Sequence, residues 1–213
     1  TLNAIKFCYK KNPNIEYEIG TEESIRKFNI LELDIFLTDL RLNLSEKEFN
    51  QVKFIVIQSG TSLKGNINIG EYDRNRLESM IAIANKHGLL SKEHNGDYIP
   101  ISLIKEKFDL GLTAINIAPE FGQIETKTYL EKIKKNPELL GILYKICYIS
   151  NKWKKWVDND FNPIEQKEEL INICGHYILS EPDFLLMVKP KFPNIDLEIK
   201  ANIKKKLNEL FTE

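Results

Sequence analysis

The side chains of this chain best suited to chemistry sit in four short clusters rich in glycine and polar residues. His94, beside Glu93, Asn95, Asp97 and Tyr98, offers an imidazole and carboxylates that can move protons or bind a metal ion. Glu22 and Glu23, after Gly20-Thr21, offer carboxylates for acid–base work or for orienting a sugar hydroxyl. Gln58-Ser59-Gly60-Thr61-Ser62, with Lys64 and Gly65 behind it, combines backbone N–H groups, hydroxyls and a cation, a set that can cradle a phosphate. Its spacing is not that of a P-loop. Asn116 and Glu120, flanking Ile117-Ala118-Pro119, would complete a rim by bonding to hydroxyls or a cation. Each cluster also has a plainer reading: a loop histidine capping a helix, a solvated glutamate, an ordinary Gly/Ser turn.

What gives the four clusters meaning is their repeated setting. Each follows a short apolar run and precedes a helical pattern. The apolar runs are Ile15–Gly20, Lys53–Gln58, Leu89–His94 and Ala114–Ala118. Helices are expected over Ile30–Leu44, from Asp73 as N-cap to Gly88, from Pro100 with Ile101, Ile104 and Phe108 on one face, and over Ile124–Ile133. Ser45-Glu46-Lys47-Glu48 has the form of a capping box. Strands alternating with helices imply a parallel sheet. All its strand C-termini lie on one edge, where separate loops converge on one ligand.

Beyond Asn136 only helices are expected, with Asn136-Pro137 and Asn162-Pro163 as cap-plus-proline starts and Ser180 and Asn194 as further caps. The chain therefore divides into residues 1–135, four β/α units, and 136–213, a helical extension. Trp153 and Trp156 read as packing anchors rather than a base-stacking platform. His87, at a helix end, reads as structural, and His176 as an improbable ligand.

Composition narrows the function classes. The 213 residues are 42% hydrophobic, enough for a sizeable core. Thirty Lys and Arg against 31 Asp and Glu give no general attraction to nucleic acid or anionic membrane. Cys8, Cys147 and Cys174 share no metal or redox spacing, so reduced thiols in a cytoplasmic protein are expected. No stretch suits a membrane span or a signal peptide. A closed (β/α)8 barrel takes about 250 residues, more than four units supply. The chain begins with Thr, and four more β/α units upstream are expected.

In order, the segments Ile19-Gly20-Thr21-Glu22, Val56-Ile57-Gln58-Ser59-Gly60, His94 to Tyr98 and Asn116 to Glu120 resemble the C-terminal half of the non-catalytic subunit family of class II D-tagatose-1,6-bisphosphate aldolase, also called tagatose-6-phosphate kinase-like. The Trp153–Trp156 region and the closing helix match its helical C-terminal part loosely. The family's fourth turn is neutral where this chain has Glu120. The resemblance implies an α/β fold of (β/α)8 TIM-barrel type with this chain as its second half, and a phosphorylated sugar as ligand. It implies a metal-assisted lyase of carbohydrate metabolism, or an accessory subunit that stabilises a separate zinc-dependent aldolase. Class II aldolases use three histidines for zinc, and only His94 stands at a strand end here. A harder cation, magnesium or manganese, would instead draw on His94, Asp97, Glu22 and Glu120. His94, Asp97, Glu22 and Glu120 are the expected catalytic set. Gln58, Gly60, Thr61, Ser62, Lys64, Asn95 and Asn116 are the expected substrate contacts. The partners expected are the sugar and either a catalytic aldolase subunit or the missing N-terminal half; a homo-oligomer is left open.

Overall fold

The computed structural model describes residues 1–21 and 26–211, which form two compact units. The first comprises residues 1–63 and 68–116; the second comprises 64–67 and 117 onward. Composition drew the line after residue 135, whereas the contacts draw it before the helix that begins at Pro119.

The first unit opens with a helix that the periodicity did not reveal, α1 (Leu2–Lys11). It continues with β1 (Tyr17–Gly20), α2 (Ile30–Asn43), the single turn α3 (Glu46–Phe49) and β2 (Val52–Ile57). A two-stranded hairpin, β3 (Leu63–Lys64) and β4 (Ile67–Asn68), interrupts it. Then come α4 (Arg74–Lys86), β5 (Leu90–Glu93), α5 (Ile101–Asp109) and β6 (Ala114–Ile115). The strand positions match those legible in the sequence, with β6 cut to two residues. Asn29 and Ser45 both close capping boxes, with Glu32 and Glu48, and Asp73 accepts from the Arg76 N–H to start α4.

The sheet runs β1-β2-β5-β6, every neighbouring pair parallel. Among the described residues, the outer edges of β1 and β6 have no partner strand. Successive side chains of a strand alternate between faces. Register therefore sorts them. Ile19, Ile55 and Ser91 form one row, and Ile57, Glu93 and Ile115 the next on the same face. That face packs on Leu33, Leu37 and Leu40 of α2 and on Leu77, Met80, Ile81 and Ala84 of α4, a single buried cluster. The opposite face carries Glu18, Phe54 and Leu90 in one row, and Gly20, Val56, Lys92 and Ala114 in the next.

One helix departs from its sequence pattern. In α5 the buried residues are Ile104 and Lys107, while Phe108 is 42% exposed. A lysine takes the core position because polar partners await it there, as described below.

The second unit contains α6 (Pro119–Ile133), α7 (Pro137–Ser150), α8 (Lys167–Cys174), α9 (Pro182–Met187) and α10 (Ile195–Phe211), with short 3-10 turns between them. Tyr129 and Ile133 of α6 belong to its core, with Leu143, Cys147, Leu170, Ile171, Phe184 and Ile199. This is why α6 sorts with the helices. Tyr129 meets Phe184 edge-on at 5.0 Å, and Trp153 is a buried anchor stacked on Tyr148. Asn136 caps α7 as expected. Asn162 instead makes a turn, accepting from the Ile164 and Glu165 N–H groups, and α8 starts only at Lys167. Glu181 rather than Ser180 precedes α9. Among the described residues, no helix is long and apolar enough to cross a membrane.

Candidate functional site

His94 follows β5 directly, at the strand C-terminal edge, and its Nε2 lies 2.8 Å from Glu18 Oε1. Glu18 Oε2 in turn accepts from Lys92 Nζ at 2.5 Å. Glu18 and Lys92 share the sheet face opposite the helices, two strands apart across Val56. A shallow cavity of about 200 Å³ opens there, lined by Glu18, Ile19, Gly20, Thr21, Val56 and His94. Partial burial pushes the Glu18 carboxyl up, but hydrogen bonds from Lys92 and His94, with their charges, outweigh it and hold the group below its usual range.

A carboxyl with a depressed folded-state pKa stabilises the fold above its ordinary range, and that contribution is lost as pH falls through the lower folded value. Urea unfolding from pH 7 downward is therefore expected to show a steeper acid-side loss for the native protein than for Glu18→Gln. Parallel curves would show that the pair is screened out.

The loops around this cluster brace one another. Thr61 Oγ1 donates to the His94 carbonyl at 3.3 Å. Asn68 Nδ2 donates to the carbonyls of Asn95 and Asp97 at 3.0 and 3.1 Å, while its Oδ1 accepts from the N–H groups of Ser62 and Gly70. Gly96 N–H reaches the Asn116 carbonyl, and Asn116 N–H reaches the Glu93 carbonyl. Asn95 and Tyr98 both hold positive φ, near 60°, a conformation that is uncommon outside glycine and that this network over-determines.

The structure thus brings Gly60, Thr61, Ser62, His94, Asn95, Asp97 and Asn116 to one sheet edge. Their roles differ from a simple rim. Gln58 is 1% exposed and spends its amide internally: its Oε1 accepts from Phe28 N–H and Arg76, and its Nε2 donates to the Arg26 carbonyl. The Thr61 hydroxyl and the Ser62 N–H, both expected phosphate donors, are bonded to the protein. Asp97 is buried, and Asn116 is exposed. Lys64 and Glu120 belong to the second unit, where Lys64 pairs with Asp158 and Glu120 with Lys206. Glu22 and Glu23 lie outside the described residues.

His87 is structural: it closes α4, with its ring Nε2 2.8 Å from Asp34 Oδ1. The His176 ring packs against Gly122, and burial together with Lys155 pushes its pKa down. Among the described residues, no three imidazole, thiol or carboxyl groups converge to hold a metal ion. His94 faces a carboxylate already paired with an ammonium, so these residues do not by themselves fit a metal centre.

Glu18 and Lys92 had no signal in the sequence. Glu18 lies between Tyr17 and Ile19 in β1, and Lys92 lies between Ser91 and Glu93 in β5, 74 positions away.

No protein-family model and no curated protein matches the chain. Solved structures do. A probable tagatose 6 phosphate kinase from Sinorhizobium meliloti superposes with a TM-score of 0.65 at 17% identity, over 95% of this chain and 54% of that one. The fructuronate-tagaturonate epimerase UxaE from Cohnella laeviribosi, native and glycerol-complexed, superposes with a TM-score of 0.62 at 14% identity, over 98% of this chain and 49% of that one. What is shared at this identity is the fold, and the chain spans about half the length of the structures it matches.

Proposed function

We propose that this chain supplies half of a (β/α)8 barrel acting in carbohydrate metabolism, with a keto-sugar acid or sugar phosphate bound at the strand C-terminal edge. The observation that carries the reading is the Glu18–Lys92–His94 cluster on the sheet face away from the helices. In a closed barrel that face becomes the interior, and its strand C-termini become the ligand end. The unpaired edges of β1 and β6 are where further strands would join. The matched structures, a probable tagatose 6 phosphate kinase and a fructuronate-tagaturonate epimerase, support a sugar ligand.

The cluster suits proton transfer at a carbon next to a carbonyl. A carboxylate at Glu18 accepts the proton, the electron pair moves onto the carbonyl oxygen, and the Lys92 ammonium stabilises the enediolate so formed. His94 returns or accepts a proton on the sugar oxygens. Aldol cleavage and epimerisation both pass through such a charge, so the aldolase-type chemistry implied by the sequence resemblance falls within this reading.

The test is deuterium exchange. Full-length protein is incubated in D2O with tagaturonate, fructuronate and tagatose 1,6-bisphosphate, and exchange next to the carbonyl is followed by NMR. Exchange on at least one substrate is expected, reduced about 100-fold or more in Glu18→Gln and in His94→Ala. Exchange unaffected by both substitutions would remove the cluster from the chemistry. No exchange on any of them, with co-purification of an active aldolase, would favour the accessory-subunit reading.

A further inference from the structure

Beneath the strand ends, on the helix face of the sheet, lies a second charged cluster that the proposed chemistry does not use. Lys107 of α5 is fully buried. Its Nζ donates to Glu93 Oε2 at 2.5 Å and to Ser59 Oγ at 2.7 Å, and stands 4.8 Å from the centre of the Tyr72 ring. Glu93 and Ser59 are 1% and 0% exposed. The second carboxylate oxygen of Glu93 is buried with no hydrogen-bond partner among the described residues.

A buried ion pair is weak evidence for stability, because an apolar pair of similar volume often does as well. An unpartnered buried carboxylate oxygen adds a further cost. The position of the cluster offers the compensating role. Glu93 is the last residue of β5, and the next residue is His94. Ser59 follows the end of β2, and the next residue is Gly60. One ammonium thus ties together the ends of the two central strands. Glu93 points to the helix face, where Lys107 holds it, and His94 reaches Glu18 on the other. The Glu93 carbonyl is held by Asn116 N–H at 2.8 Å, and Asp73 N–H holds the Ser59 carbonyl at 2.8 Å.

We infer that Lys107, with Glu93 and Ser59, is a positioning device that sets the His94 imidazole against Glu18. The inference rests on the reading of His94 and Glu18 as the sugar site, but its test needs no substrate. The His94 ring of full-length protein, labelled with 15N-histidine and assigned by His94→Gln, is titrated by NMR. Three proteins are compared: native, E93L/K107M and Ser59→Ala. The double variant removes both charges, and Ser59→Ala deletes one hydroxyl, so folding survives in at least the latter. The His94 midpoint is expected to move away from the native one in E93L/K107M. A smaller move in the same direction is expected in Ser59→Ala. The rings of His87 and His176, which have other partners, are expected to stay put. A His94 titration that stays unchanged in every folded variant overturns the inference and leaves the pair a packing feature. Failure of the sugar reading would appear separately, as absent deuterium exchange in the native protein.

Discussion

Lys107→Met is expected to lower the unfolding free energy by about 3–5 kcal/mol, because it leaves the Glu93 carboxylate buried without its countercharge. Lys107 is fully buried and Glu93 is 1% exposed, so neither group has solvent to fall back on. Ser59 Oγ alone cannot compensate a full negative charge. The double variant E93L/K107M is expected to recover most of this loss, since no charge remains to be desolvated and Leu and Met roughly fill the space. Urea unfolding of the three proteins at pH 7 gives the comparison. A single variant as stable as the native protein would mean that the pair is not buried in solution. A double variant as unstable as the single one would shift the cause from charge to packing.

Gly60→Ala is expected to cost about 3 kcal/mol, from two sources that a control separates. Gly60 has φ +97°, outside the range L-residues readily adopt, and a Cβ built there would lie 2.0 Å from the Glu71 carbonyl oxygen. Gly70 reciprocates: its Cβ would lie 1.9 Å from the Gly60 carbonyl oxygen. The two backbones lie against each other, and no side chain can yield. Gly88 also has a positive φ, +72°, but a Cβ there meets nothing within 4 Å. Gly88→Ala therefore measures conformational strain alone, expected near 1 kcal/mol. Equal losses at the two glycines would show that the contact with Glu71 relaxes freely. The larger loss expected at Gly60 would also displace Asn68, Thr61 and the segment 94–97 that they brace, so His94 should lose its contact with Glu18 in the same variant.

Much of this architecture was legible from local pattern. The β-branched run of β2, the Asp73 and Asn136 caps and the Ser45–Glu48 box follow from single-residue preferences and short spacings, and they lie where those rules put them. The failures share a cause. Asn162-Pro163 satisfies the rule for a helix start, but the following residues turn before Lys167 takes up the helix. The β3–β4 hairpin has two residues per strand, too few for any periodicity. On α5 the apolar stripe Ile101, Ile104, Phe108 gave way to one including Lys107. A lysine looks like a solvated residue unless its buried partners, 14 and 48 positions away, are known.

The candidate site divides in the same way. His94, Gly60 and Asn116 were recognisable because strand ends in a parallel sheet are recognisable, and residue type at such an edge suggests chemistry. Gln58 and Thr61 were found for the right place and bond inward, since side-chain direction depends on loop conformation rather than on loop location. Sequence alone determined the alternation of strands and helices, the helical character of the tail and the edge on which polar residues gather, because each depends on neighbours within a few positions. Only the tertiary structure decided that His94 stands against Glu18 and Lys92 and that Lys107 binds Glu93 and Ser59. Those pairings depend on strand order and register, which bring distant residues within hydrogen-bonding reach through contacts no local pattern encodes.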